Sequence, residues 1–161
     1  MLKIKKVANH ASKIAALMLL AVALPIAAQS APAQVLDLSE YRGKVVYLDF
    51  WASWCAPCLQ SFPWMNDIQR IYAGEGLVVL AVNVDHDGQL AQRFLSNKLP
   101  VFKIIYDPEG QIARQYGLKD MPTSILIGRD GKTRYVHSGF YVDRKTQYLS
   151  HVRELLDDKT N

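Results

Sequence analysis

The sequence predicts an α/β domain whose mixed central sheet is flanked by helices. Three observations support this class: apolar runs of strand length, helical spacing between them, and a hairpin signal near the carboxyl end. The runs VVYLDFW (Val45 to Trp51) and LVVLAVNVD (Leu77 to Asp85) are typical of strands buried on both faces. Helices that alternate with such strands imply parallel pairs, and a closing hairpin adds an antiparallel edge.

The first half of the domain begins with a lead-in segment over residues 35–44, which has room for one short turn. After the first strand, apolar residues at helical spacing predict a helix from Leu59 to Ala73. Pro63 is expected to kink this helix, and Gly74 and Gly76 are expected to end it before the second strand.

The second half contains two further helices before the hairpin. Asp87 can cap a helix over Gln89 to Asn97, which Pro100 ends. The remaining predicted elements follow in order: a strand from Val101 to Tyr106, a helix from Gln111 to Tyr116, hairpin strands from Ser124 to Gly128 and from Lys132 to Gly139, and a helix from Asp143 to Leu156.

The amino-terminal segment differs in composition from the rest of the chain. Residues 1–13 contain four lysines and no acidic residue, and Ile14 to Ala28 then form an uncharged, mostly apolar stretch. This pattern predicts a secretory signal peptide over residues 1–28, with cleavage after Ala28 or Ala33. An uncleaved membrane anchor is the alternative, although the apolar run is shorter than the roughly 20 residues that a bilayer requires.

The net charge of +4 belongs to this segment. Without residues 1–28 the chain keeps 15 basic and 15 acidic residues and is formally neutral. Charge therefore gives no reason to expect a nucleic-acid partner. The remainder is predicted to comprise a lead-in over residues 29–44 and one domain over residues 45–157, and we expect a monomer.

The only two cysteines, Cys55 and Cys58, lie in the stretch DFWASWCAPCLQSFP. A structural zinc site needs four ligands, usually two such pairs or cysteines with spaced histidines, and the sequence has neither pattern, so we predict no metal. A disulfide at this spacing closes almost no loop and would add little stability. In an exported protein the pair is better suited to redox chemistry than to bracing.

Their positions predict different roles for the two cysteines. Cys55 follows a buried strand and should lie at the first turn of a helix, where unpaired N–H groups and the helix dipole stabilise a thiolate. Cys58, one turn further in, should be more buried and protonated. Cys55 would then attack a partner's disulfide, and Cys58 would resolve the mixed disulfide. Ala56 and Pro57, between them, offer the sulfur no hydrogen-bond donor.

WCAPC after a DFW strand, with Met121-Pro122-Thr123 about 65 residues later, resembles the thioredoxin superfamily. The signal segment, RGKVVYLDFWASWCAPC, the FPWMNDI continuation and the AVNVD strand are similar to its exported TlpA/ResA-like branch, over residues 35–157. The resemblance implies a thioredoxin fold with an extra helix after the second strand. It also implies thiol:disulfide exchange with exported proteins in the periplasm, with no cofactor besides a redox-active Cys55–Cys58 disulfide.

The resemblance assigns supporting roles to residues around the cysteines. Trp54 would be a flat contact surface for partners, with ordinary packing as the alternative. The Met121–Pro122 bond would be cis, placing Pro122 against the cysteines, and a trans turn is the alternative. The backbone of Met121 would pair with an extended substrate segment, and Thr123 completes this loop.

Asp49 is the most informative single residue, because it lies within an otherwise apolar strand. Burial should raise the pKa of its carboxyl group, as a general acid or base for Cys58 would require near neutral pH. The position matches the buried aspartate of thioredoxins, whereas many TlpA-like relatives resemble VNFW here. The alternative is a solvated position on an edge strand. Asn83 and Asp85 end the second strand, where sites often lie, but Asp85 fits a turn equally well.

The direction of electron flow is predicted to be reduction of substrates. The Ala56-Pro57 pair supplies no hydrogen-bond donor to a cysteine thiolate, and a charged Asp49 would disfavour a thiolate nearby. These residues therefore do not stabilise the reduced form of the cysteine pair. Members of the resembled branch act as reductants, including in cytochrome c maturation, and draw electrons from a membrane thiol relay. An oxidase or isomerase of the same fold, a copper carrier and a peroxidase are the alternatives.

Overall fold

The computed structural model describes residues 35–159, so the predicted signal peptide and the start of the lead-in lie outside the described residues. The elements follow the predicted order β-α-β-α-β-α-β-β-α. The strands and helices are β1 (Val45–Trp51), α1 (Ala56–Tyr72), β2 (Leu77–Asn83), α2 (Gly88–Leu95), β3 (Lys103–Tyr106), α3 (Gln111–Gln115), β4 (Thr123–Ile127), β5 (Thr133–Ser138) and α4 (Lys145–Asp157).

The strands form a mixed sheet in the order β3-β2-β1-β4-β5. β1 pairs in parallel with β2, and β2 in parallel with β3, whereas β4 is antiparallel to both β1 and β5. All seven residues of the central strand β1 are buried. The α/β class with a mixed sheet is therefore confirmed, and the alternative that Asp49 lies on an edge strand is wrong.

Alternate residues of β1 face two separate apolar layers. Tyr47 and Trp51 point into the layer covered by α1 and α4, while Leu48 and Phe50 point into the layer that contains Ile112 of α3. Because side chains alternate along a strand, Asp49 faces the same layer as Tyr47 and Trp51. The helix that carries Cys58 covers this face.

Three predicted boundaries near the site are wrong. Helix α1 begins at Ala56 rather than Leu59, since Pro57 fits the first turn, and the helix is continuous through Pro63. Strand β2 ends at Asn83 rather than Asp85, because the Asp85 backbone N–H donates to the Asn83 side-chain oxygen instead of to a neighbouring strand. Strand β3 begins at Lys103, because the Val101 N–H donates to the Asn66 side chain.

Strand β1 has its predicted bounds, and the ends of the other elements differ from their predicted positions by at most two residues. Asp87 caps α2 as predicted, accepting a hydrogen bond from the Gln89 backbone N–H at 2.9 Å. The lead-in contains a 3₁₀ turn over Ser39–Tyr41. Within residues 35–159, no helix has the length and apolar character needed to cross a membrane.

Candidate active site

The two cysteines form a disulfide at the start of α1. Cys55 is the N-cap residue of the helix, and its Cα lies 5.3 Å from that of Cys58. Cys55 retains 5% of its surface exposed, whereas Cys58 is fully buried. Ala56 and Pro57 lie between them on the exposed surface. The structure therefore presents Cys55 as the more accessible sulfur, in the order that the sequence predicts.

The loop before the helix brings Cys55 to this position through a tight turn. The Cys55 N–H donates to the carbonyl of Ala52 at 3.1 Å, immediately after β1 ends. The Cys55 carbonyl then accepts from Leu59 N–H at 3.3 Å, which starts the hydrogen bonding of α1. The first N–H groups of a helix have no partner within it, so the dipole of α1 favours a negative charge on the Cys55 sulfur.

Asp49 lies in the middle of the central strand with only 2% of its surface exposed. Its Oδ2 atom is buried and has no hydrogen-bond partner among the described residues. Burial alone raises the pKa of the Asp49 carboxyl well above its ordinary value. The protonated acid is therefore strongly favoured in the folded protein relative to an exposed aspartate.

Ring contacts place α1 over Asp49. On the same face of β1, the Tyr47 ring contacts Trp64 at 5.4 Å and the Trp51 ring contacts Phe62 at 4.8 Å, between centroids. Asp49 lies between these two strand residues, and Cys58 precedes Phe62 by about one turn of the same helix. The buried acid and the buried sulfur thus occupy one layer, beneath one helix.

The Met121–Pro122 peptide bond is cis, as the resemblance implied. The Pro122 carbonyl accepts a hydrogen bond from the Gly139 N–H at 2.8 Å, and Thr123 donates its hydroxyl to the Asp120 carbonyl at 2.6 Å. Met121 packs against the core cluster that contains both cysteines. The loop before β4 therefore packs against the same apolar layer to which the two cysteines belong.

An open groove lies between Met121 and Trp54, the residue that precedes Cys55. Trp54 is 67% exposed, so its side chain is a surface feature rather than a packed one. The groove has a volume of about 540 Å³. Besides Trp54 and Met121 it is lined by Val84, His86, Pro108, Gly110, Ala113, Leu118, Lys119 and Asp120. It is open enough to accept an extended peptide segment next to Trp54.

The hydrogen-bond partners in two polar clusters could not be predicted from the sequence. Asp85 accepts hydrogen bonds from Ser53 in the loop before Cys55, and only its place at a strand end indicated a site. The rings of His137 and His151, for which the sequence shows no partner, have nitrogens 2.9 Å apart and join β5 to α4. Burial, with the nearby charge of His151 as a second cause, lowers the pKa of His137 to about 4.

Comparison with known sequences relates this site to one family. A sequence model of the Redoxin family matches residues 21–153. The thiol-disulfide oxidoreductase ResA of Geobacillus thermodenitrificans is 37% identical over 102 residues, which cover 63% of this chain and 59% of the relative. ResA of Bacillus subtilis is 32% identical over 104 residues, covering 65% and 58%. The chain therefore matches less than two thirds of the length of these relatives.

Solved structures give the same result at the level of the fold. A putative thiol:disulfide interchange protein DsbE from Chlorobium tepidum superposes with a TM-score of 0.73 at 48% identity, covering 74% of this chain and 84% of that one. The exposed lipoprotein thioredoxin Etrx1 from Streptococcus pneumoniae superposes with a TM-score of 0.65 at 34% identity, covering 73% and 90%. The predicted thioredoxin-like fold is confirmed.

Proposed function

The chain belongs to the Redoxin family, and from that premise we propose that it is a thiol-disulfide oxidoreductase that reduces disulfides of exported proteins. One observation carries the proposal: a disulfide at the first turn of α1 shares a buried layer with the Asp49 carboxyl, whose Oδ2 has no hydrogen-bond partner within residues 35–159. Such an arrangement can both stabilise a thiolate and move a proton.

The first step of the proposed reaction uses Cys55 in the reduced protein. Its thiolate attacks one sulfur of the substrate disulfide, so a Cys55–substrate disulfide forms and the other substrate sulfur leaves as a thiolate. The leaving thiolate takes a proton from solvent. The partial exposure of Cys55 and its place at the helix N-terminus suit it to this attack.

The second step uses Cys58 and Asp49. Cys58 is fully buried, so its thiol needs a nearby base before it can attack. Asp49, in its ionised form, takes the proton from the Cys58 thiol, and the Cys58 sulfur attacks the Cys55 sulfur. The Cys55–Cys58 disulfide forms, the Cys55–substrate bond breaks, and the second substrate sulfur leaves as a thiolate that takes the proton from Asp49. Two electrons and two protons have then passed from the dithiol to the substrate.

The groove between Trp54 and Met121 is the proposed binding site for the substrate polypeptide. Its walls combine the exposed Trp54 ring with apolar side chains such as Val84 and Leu118. An extended segment lying there would present its disulfide to Cys55 and could pair with the backbone at Met121. We propose that the preferred substrates are polypeptide disulfides rather than small-molecule disulfides.

The setting of the reaction rests on the amino-terminal sequence. The basic and then apolar composition of residues 1–28 supports export to the periplasm, with electrons supplied by a membrane thiol relay. Cytochrome c maturation is the process that the ResA-like resemblance suggests, with a disulfide in an apocytochrome as substrate. The Cys55–Cys58 disulfide would be the only redox group.

The reduction potential tests the proposed direction of electron flow. The mature domain is equilibrated with glutathione or dithiothreitol buffers, and the fraction of Cys55–Cys58 disulfide is measured. A reductant should give a potential well below about −120 mV, where strong oxidants lie. A value near or above that level would overturn the direction and favour an oxidase or isomerase.

Activity and copper binding test the class of function itself. The reduced protein should reduce insulin disulfides with dithiothreitol as electron source, and Cys55→Ser should abolish the reaction. Cys58→Ser should instead accumulate a mixed disulfide with the substrate. Tight binding of Cu(I) by a reduced protein that leaves insulin intact would replace the proposal with a copper carrier.

A further inference from the structure

Asp85 is a buried carboxylate that lies directly beside the loop before Cys55. Only 2% of its surface is exposed. The Ser53 backbone N–H donates to Oδ2 at 3.0 Å and to Oδ1 at 3.3 Å, and the Ser53 hydroxyl donates to Oδ1 at 3.1 Å. One residue of the loop thus directs both of its donors to one carboxylate.

These bonds complete a turn that is otherwise held at its ends alone. The Cys55 N–H closes the turn onto the Ala52 carbonyl at 3.1 Å, which leaves the Ser53 N–H without a partner inside the turn. Asp85 supplies that partner from a different strand. The backbone on the amino-terminal side of Trp54 is therefore fixed by a contact across 32 residues of sequence.

Asp85 is itself held rigidly. Its Oδ2 accepts from the Asn83 amide nitrogen at 2.8 Å, and its backbone N–H donates to the Asn83 side-chain oxygen at 3.2 Å. The Val84 N–H donates to the Trp51 carbonyl at 3.0 Å, so β1 and β2 remain joined up to the loop. The carboxylate is a fixed point on the sheet rather than a flexible side chain.

Trp54 depends on this fixed backbone for its position. The side chain is 67% exposed, and no ring contact within residues 35–159 involves it. Its neighbour Cys55, by contrast, is also held by the hydrogen bonding of α1. Loss of the Asp85 contact should therefore disturb Trp54 more than the reacting sulfur.

We infer that Asp85 is a positioning residue, which holds Ser53 so that Trp54 presents its ring to polypeptide substrates beside Cys55. The inference rests on the proposed function. Asp85 touches neither the sulfurs nor the substrate and acts through the loop. The reaction with a small disulfide, which does not need the Trp54 surface, should be much less sensitive to it.

The test compares insulin with hydroxyethyl disulfide as substrates of the full-length protein below its unfolding temperature. Asp85→Ala should lower kcat/KM for insulin by about tenfold more than for the small disulfide, mainly through KM. In a Trp54→Ala background, Asp85→Ala should cause no further loss of kcat/KM with insulin, because both substitutions remove the same contact between Trp54 and the substrate. Asp85→Asn should retain most activity, since its amide can still bond to Ser53 and Asn83.

Asn66→Ala is the matched control. Asn66 is a mostly buried side chain of α1 that accepts from the Val101 N–H at 2.8 Å, about 12 Å along the helix from Cys58. The Asn66→Ala variant should be less stable than the wild type, but the ratio of its kcat/KM values for insulin and hydroxyethyl disulfide should be unchanged. If Asp85→Ala does not fold, Ser53→Ala replaces it, because this substitution removes only the hydrogen bond of the Ser53 hydroxyl. Its effect on the two activities is then measured alone and in combination with Trp54→Ala.

Three results would overturn the inference. They are equal losses with both substrates, additive losses of Asp85→Ala and Trp54→Ala with insulin, and an Asp85→Asn variant as impaired as Asp85→Ala. Each would leave the proposed function intact, because the wild-type protein would still reduce both substrates. A wild-type protein that reduces neither would instead remove the proposed function.

Discussion

Asp49 and Asp85 are equally buried, each with 2% of its surface exposed, yet their surroundings are opposite. Asp85 accepts hydrogen bonds from Ser53 and Asn83, whereas Oδ2 of Asp49 has no partner among the described residues. Burial of a carboxylate is costly unless hydrogen bonds replace water. The hydrogen-bond partners of a buried acid, rather than its burial alone, therefore indicate its role.

The two acids have different proposed roles in the site. The Asp85 carboxylate is stabilised by its donors and fixes a loop. Burial raises the pKa of the Asp49 carboxyl well above its ordinary value, so this group binds a proton more readily than an exposed aspartate does. One acid holds the geometry of the site, and the other is proposed to carry its proton.

The largest expected effect on stability is that of Asp85→Ala. The change leaves the buried Asn83 amide and the Ser53 N–H without their acceptor, so the free energy of unfolding should fall by about 3 kcal/mol. Urea unfolding of the oxidised protein measures this change. A loss as small as that of an exposed aspartate would mean that the Asp85 hydrogen bonds contribute little, and the contrast with Asp49 would disappear.

Asp49→Asn should slow the resolving step by about 100-fold at neutral pH, because Cys58 loses its base. The decay of a preformed mixed disulfide, followed by stopped flow across pH, measures the rate. The pH dependence should also change, since asparagine does not titrate. An unchanged rate and pH profile would return Asp49 to a structural role.

The same Asp49→Asn substitution should stabilise the oxidised fold above about pH 4, by about 1 kcal/mol or more at neutral pH. A raised folded-state pKa gives stability that is present below the unfolded pKa and is lost as pH rises through the folded pKa. The wild type and the variant should therefore converge near pH 4 and diverge above it. Urea unfolding across pH detects this, and a constant difference would contradict the cause.

His137 should give the smallest effect, with the opposite sign. Its pKa is lowered to about 4, so its contribution to stability is present above the ordinary value of 6.5 and is lost as pH falls toward 4. His137→Gln should weaken this acid-side loss of stability. Urea unfolding of both proteins at pH 7 and pH 4.5 measures it, and identical pH dependence would show that the His137–His151 pair does not report on pH.

Much of this protein could be predicted from local sequence. The apolar runs predicted the strands, Asp87 predicted its helix cap, and the C-x-x-C pair after a buried strand predicted the place of Cys55 at the start of α1. These features depend on residues close together in the chain, because hydrophobic period, caps and the first helical turn are local. The resemblance to thioredoxins added the cis bond before Pro122.

The identity of the central strand and the side-chain contacts between elements could be seen only in the tertiary structure. Strand order made Asp49 a buried residue rather than a solvated edge residue, and the ends of β1 and β2 brought Asp85 to Ser53. The pairing of His137 with His151 likewise depends on how α4 packs against β5. The sequence pattern indicates the apolar face of each element, but the burial of a polar residue such as Asp49 and the contacts between elements depend on sheet order and packing, which no local pattern encodes.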